Sequence, residues 1–405
     1  MITLFKYNFN YFLVILFFWS TLLENAFSFG KFHQFSNGLD LSVSLFLRVI
    51  FLFKTSTYFF NGSLNNKDLM PVVKFIFVLI LFYIYGTLFY PQYFLRSFSV
   101  LIQTISVLSI IPYLYLSNPT KASKQLFYAN IRFFILINSI LLVISFFYPN
   151  LLESFESSSG TSDISRSFGI MGDEISTLLT FFILDAFHNK KWKSFLILLF
   201  SFFLTGGIAS FFILISLVLF YLFKITSSNN KKAIWSYITV IFLFIVVFYF
   251  RDQISIFDRI NQNFSIQDES NTLNLRIKSI TAGIDIFSDN IWFGIGFGFY
   301  GAYILDLFDY LDENVIILTS SYNQYLQILC EMGIIGFLVF ISFFYGLLKK
   351  LRNKLKVNYT SEKFIAYIWL VTLLITMQSG NWFFPSSFVF ILIVSLLGVN
   401  LKEAK

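Results

Sequence analysis

Arg276 is an isolated cation just upstream of a Gly294-Ile295-Gly296-Phe297-Gly298 turn, and Glu331 is a carboxylate inside a long apolar run. An arginine fork grips phosphate through two parallel N–H bonds and stays charged at any relevant pH. Glycines at alternate positions let backbone N–H groups approach a ligand closely, and a phosphate is the usual ligand when they do. Gly294, Gly296 and Gly298 are therefore candidates for substrate binding. The turn lacks the strand and helix context of a nucleotide-binding loop, so a tight turn re-entering the membrane interface is the competing reading. An ionisable residue within an apolar span is costly and marks either function or pairing, which leaves Glu331 open as a catalytic group or a hydrogen-bonded structural one.

Two polar stretches are long enough to hold a site, residues 149–175 and 251–321. The larger carries Arg251, Arg259, Arg276 and Lys278 against ten acidic residues, a setting that suits arginines placed for a purpose better than a general anion-attracting field. Its Asn274 to Phe287 portion reads as an amphipathic helix at the membrane surface, with Leu275, Ile277, Ile280, Ile284 and Phe287 on the apolar side. Asp306, Asp309 and Asp312 recur on one side of a helix, as a solvated acidic face or as a source of a general base. The smaller stretch contributes Arg166.

The elements that must position these residues are set by composition. Of 405 residues 57% are hydrophobic and 13% charged, about half the charge of a soluble domain, so most of the chain faces lipid. Apolar runs near 10–28, 41–60, 71–90, 94–116, 127–148, 174–187, 193–206, 208–223, 234–250, 322–348, 364–379 and 382–400 predict an all-α polytopic integral membrane protein of about 12 transmembrane helices, a single domain over 1–405. The first run lacks the flanks of a cleaved signal peptide and reads as a retained helix. Alternate connections hold 21 of the 29 Lys and Arg residues, among them Lys190, Lys191, Lys349, Lys350 and Arg352. That side is cytoplasmic by the positive-inside rule, which puts both termini there and 251–321 outside, between helices 9 and 10.

Other classes are excluded by the same features. The net charge of +7 is spread over short juxtamembrane connections, which suits anionic lipid and forms no nucleic-acid face. Cys330 is the sole cysteine, so no internal disulfide forms, and His33 and His188 are too few and too far apart for a His-based metal site. The 58 Phe residues are scattered along every apolar run, as lipid-facing filler is. No internal repeat is visible, which counts against an inverted-repeat transporter.

The composite of Arg276, Trp292-Phe293-Gly294-Ile295-Gly296-Phe297-Gly298, Asn323-Gln324-Tyr325-Leu326, Glu331, Gly333 and Gly336 resembles the O-antigen polymerase and O-antigen ligase family of membrane glycosyltransferases. Arg166-Ser167-Phe168-Gly169 also looks family-like, and the resemblance covers roughly 160–345. Two departures stand out. Gly206-Gly207 replace a segment where the family often has an arginine, and Tyr322 stands where the ligase branch has His, which favours the polymerase branch.

The resemblance implies a GT-C-like enzyme of the bacterial cytoplasmic (inner) membrane. It would join undecaprenyl-diphosphate-linked oligosaccharide repeat units on the outer face into O-antigen, capsule or exopolysaccharide, with no cofactor, metal or nucleotide sugar. Arg276 and Arg166 would hold the diphosphate, with Arg251 and Arg259 as further candidates. Glu331 or one of Asp306, Asp309 and Asp312 would take the acceptor proton, and Tyr322 and Asn323 would bind sugar. The implied partners are the lipid-linked glycan, the bilayer, a chain-length regulator and a flippase. The alternatives are a ligase passing glycan to lipid A core, a transporter of lipid-linked sugars, and a structural membrane subunit. A transporter would carry charges in several spans, where Arg48 and Glu331 stand nearly alone.

Overall fold

The computed structural model describes residues 9–17, 19–20, 31–34, 40–61, 68–117, 121–147, 175–204, 214–215, 218, 272–308, 323–357, 361–377 and 388–401. The chain is an all-α polytopic membrane protein. Among the described residues its helices include α1 (Val43–Phe60), α2 (Met70–Phe89), α3 (Phe94–Leu108), α4 (Ile110–Leu116), α5 (Lys121–Phe147), α6 (Ile175–His188), α7 (Trp192–Leu204), α8 (Thr272–Asp289), α9 (Tyr300–Phe308), α10 (Gln324–Val357), α11 (Ser361–Thr376) and α12 (Phe388–Asn400). A short antiparallel hairpin, Lys31–Gln34 with Asp40–Ser42, precedes α1.

Among the described residues four helical stretches are long and apolar enough to cross a bilayer: Met70–Phe89, Pro91–Leu116, Ser123–Ile144 and Gln324–Val357. Shorter apolar helices at Leu178–His188, Trp192–Phe202, Lys363–Leu374 and Ile391–Asn400 fall on four further apolar runs of the sequence. The runs at 208–223 and 234–250 lie almost wholly outside the described residues.

The chain divides into two compact units, one of Met1–Asn130 with Asn274–Lys405 and the other Ile131–Leu273. In the first, α2 lies along α10, with Phe75 stacked on Phe343 at 4.3 Å between ring centroids. One end of this unit is tied by charge. Lys350 and Lys354 reach Asp68 at 3.6 and 3.5 Å, Tyr115 donates to the same carboxylate at 3.1 Å, and Lys354 also donates to the Leu401 carbonyl. In the second unit α6 and α7 pack as a helical hairpin turning through Lys190, whose φ is 55°. Arg132 of α5 donates two bonds to Asp185 of α6, Nε at 2.7 Å and Nη2 at 3.0 Å. Asp185 is a buried charge within an apolar helix that reading the runs passed over, because it stands one turn from the run's polar end.

Candidate functional site

α10 spans 34 residues, and its ladder breaks at Gly333, whose φ of 61° and ψ of −167° lie far from helical values. A broken helix at membrane depth must have its freed backbone groups met by protein. Here the glycine turn meets them. The Ile295 and Gly296 amides donate to the Cys330 and Glu331 carbonyls at 2.9 and 2.8 Å, while Ile334 and Ile335 donate back to Ile291 and Trp292 at 2.9 and 3.4 Å. Turn and break are one structure, joined by these backbone hydrogen bonds despite the long stretch of sequence between them.

The glycines are required by this fit. Gly294, Gly296 and Gly298 have φ of 67°, 109° and 83°, the left-handed region that side chains avoid. A Cβ on Gly294 would strike the backbone of Glu331 and Met332, and one on Gly333 would strike Trp292. On the far side, a Cβ added to Gly86 of α2 would stand 2.7 Å from Gly296 Cα and 2.8 Å from the Ile295 carbonyl oxygen. Gly86 was missed from sequence. Its signal is a lone small residue between Tyr85 and Thr87 in a helix of large apolar side chains, the pattern by which membrane helices allow close backbone approach.

Glu331 is buried, 3% exposed. Its Oε2 accepts from the Gly298 amide at 3.1 Å and its Oε1 from Gln327 Nε2 at 3.0 Å, and the Tyr300 amide also faces it. The carboxylate thus caps the start of α9, where aligned N–H groups favour negative charge. Tyr300 itself is fully buried; burial pushes its hydroxyl pKa up, Cys330 and Glu331 add to this, and Ser279 opposes it.

These contacts take up the amides of Gly294, Gly296 and Gly298, the three glycines expected from sequence to bind substrate. Their amides donate to Asn290, Glu331 and the Glu331 side chain and so are already engaged within the protein rather than offered to phosphate. Asn323 is likewise engaged: its Oδ1 accepts from the Tyr325 and Leu326 amides at 3.1 and 3.2 Å, the N-cap of α10. Glu331 likewise has both carboxylate oxygens bonded inside the chain.

α8 forms where an amphipathic helix was expected. Ile277, Ile280 and Ile284 are exposed, and the side against protein is small: Ser279, Ala282, Gly283 and Ile286 are buried. A Cβ on Gly283 would come 2.8 Å from Leu326, and the Cys330 thiol donates to the Gly283 carbonyl at 3.0 Å. Arg276 stands three residues before Ser279, at the N-terminal end of α8. Its side chain lies outside the described residues, as does that of Asp306 in α9. Arg166, Arg251, Arg259, Asp309, Asp312 and Tyr322 lie outside them altogether.

No curated protein matches the chain. A family model described as O-Antigen ligase matches residues 194–341, which take in α8, the glycine turn, α9 and the break in α10. This match supports placing the protein with the O-antigen ligase and polymerase family of membrane glycan-processing enzymes, and it does not separate ligase from polymerase.

Proposed function

We propose that the protein polymerises undecaprenyl-diphosphate-linked oligosaccharide repeat units at the outer face of the bacterial inner membrane. The observation that carries this reading is the mating of the glycine turn with the α10 break inside the matched region, with Arg276 on the helix that packs beside it. In the reaction the acceptor sugar hydroxyl attacks the anomeric carbon of the donor glycan. The bond from that carbon to the diphosphate oxygen breaks, undecaprenyl diphosphate leaves with the electron pair, and the hydroxyl proton passes to a base. Arg276 and Arg166 neutralise the leaving diphosphate, and the chain needs to supply only position, charge and a base. With Glu331 committed to α9, an acidic residue among Asp306, Asp309 and Asp312 is the base in this reading. A chain-length regulator and a flippase are the partners it requires.

Tyr322, standing where the ligase branch has His, favours the polymerase, whereas the description of the matched family favours the ligase. Deleting the gene tests both. A polymerase deletion leaves single repeat units on their final acceptor while long chains vanish. Loss of all glycan from the acceptor, with long lipid-linked polymer accumulating, identifies a ligase and overturns the polymerase.

A further inference from the structure

Beside the glycine turn, the link between α2 and α3 is a single 3-10 turn, Pro91–Tyr93, with Tyr90 as its N-cap and the Tyr93 amide donating to the Tyr90 carbonyl at 3.2 Å. Residues three apart in such a turn lie on one side. Tyr90 and Tyr93 accordingly both meet Tyr303 of α9, edge to face, at 5.7 and 6.2 Å between centroids. All three rings are half-buried, so each retains open surface. Tyr303 lies one turn beyond Tyr300, whose amide faces Glu331, so the cluster is fixed to the turn-and-break structure.

The groups around the hydroxyls narrow what the cluster can hold. Burial pushes the pKa of the Tyr90 hydroxyl up, and Tyr303, Tyr85 and the Asp289 carboxylate push it the same way. A phenol hydroxyl both donates and accepts hydrogen bonds, and the Asp289 carboxylate lies close enough to act on that of Tyr90. A pyranose has an apolar C–H face and a rim of hydroxyls, and a cluster of half-buried aromatic rings that carry hydroxyls matches both features. The carboxylate disfavours an anionic sugar.

We infer that Tyr90, Tyr93 and Tyr303, with Asp289, form a subsite for one neutral hexose or N-acetylhexosamine ring of the glycan. The assignment rests on the glycan-polymerase reading for its ligand class and goes beyond it in naming the residues and the charge of the sugar. It is tested on the full-length protein in nanodiscs by saturation-transfer NMR, with methyl glycosides of glucose, galactose, mannose and N-acetylglucosamine, and of glucuronic acid, as probes. At least one neutral glycoside takes up saturation on its ring protons and the glucuronide does not. Tyr303→Leu weakens that binding about tenfold, as loss of one aromatic contact and its hydroxyl does. Tyr93→Leu is the second variant should the first fail to fold, and Tyr345→Leu, which removes an exposed ring of α10 outside the cluster, leaves glycoside binding unchanged. No saturation of any neutral probe, equal saturation of the glucuronide, or unaltered binding in a folded Tyr303→Leu or Tyr93→Leu protein overturns the subsite. If glycosides fail to bind while the deletion strain still loses its long chains, the subsite alone falls. If they bind while the deletion leaves the polymer intact, the polymerase reading alone falls.

Discussion

The Gly298 amide donates to Glu331 Oε2 at 3.1 Å, so a carboxylate inside α10 holds the entry to α9, which lies well before it in sequence. The neighbouring Gln327 donates to Oε1 and its own Oε1 has no hydrogen-bond partner. Glu331→Gln therefore keeps an acceptor for Gly298, and turning the Gln327 amide over lets its unused oxygen accept from the new side chain. Activity should stay within about fivefold of wild type, the scale of one weakened hydrogen bond. Glu331→Ala leaves both donors unmet and should lower stability by about 3 kcal/mol, read as a fall in the thermal unfolding midpoint in detergent. A Glu331→Gln protein of normal midpoint and no activity would make Glu331 the general base.

Gly86 and Gly296 touch backbone to backbone, so α2 acts as the wall against which the turn is seated. Gly86→Ala introduces no backbone strain, only a methyl group pressed on Gly296 Cα and the Ile295 carbonyl. It should cost about 1–3 kcal/mol, as overpacking does, and reduce polymer formation by displacing the turn. Gly346→Ala, where a Cβ meets nothing within 4 Å, should stay within about 1 kcal/mol of wild type. Equal behaviour of the two variants in unfolding and polymer assays would refute this role for α2.

The fold class was legible because lipid imposes a length and an apolar composition on each span, and the helices from α1 to α7 and from α10 to α12 fall on apolar runs. The helix at 274–287 was legible from its isoleucine spacing. What the glycines do was not. Alternate glycines look alike whether their amides face a ligand or a broken helix, and only their partners in the fold, the Asn290 and Glu331 carbonyls and the Glu331 carboxylate, reveal where the amides point. Gly86 and Tyr303 were hidden for a related reason. Their roles come from neighbours distant in sequence, Gly296 for one and Tyr90 with Tyr93 for the other, and no local spacing reports such contacts.

In the Ile131–Leu273 unit, Asp185 is buried and its partner Arg132 donates through both Nε and the terminal Nη2, a fork that satisfies the two carboxylate oxygens. Asp185→Ala strands the guanidinium and should destabilise by about 3 kcal/mol. Replacing both, Arg132→Leu with Asp185→Leu, should restore most of that loss, since the desolvation of two charges goes with them. If the double variant is folded and still polymerises, the pair is structural. A folded double variant without activity would point instead to a transport or catalytic role for the pair.

Arg276 sits at the N-terminal end of α8, ahead of the packed stripe through which Ser279 and Gly283 meet their neighbours, in a segment whose other charges are mostly acidic. Few structural roles require an arginine there in preference to a lysine. If it grips the diphosphate through two parallel N–H bonds, Arg276→Lys keeps the charge, loses the fork, and should cost most of the activity. A charge-assisted contact made chiefly to the departing group is worth about 3 kcal/mol, hence roughly a hundredfold in rate. Arg276→Ala should be at least as damaging, with the abundance of the protein in the membrane unchanged. Arg259→Lys serves as the control and should be nearly silent if that residue is a surface charge. Normal polymer from an Arg276→Lys protein at wild-type abundance would remove Arg276 from the diphosphate site and leave Arg166 as the residue to test there.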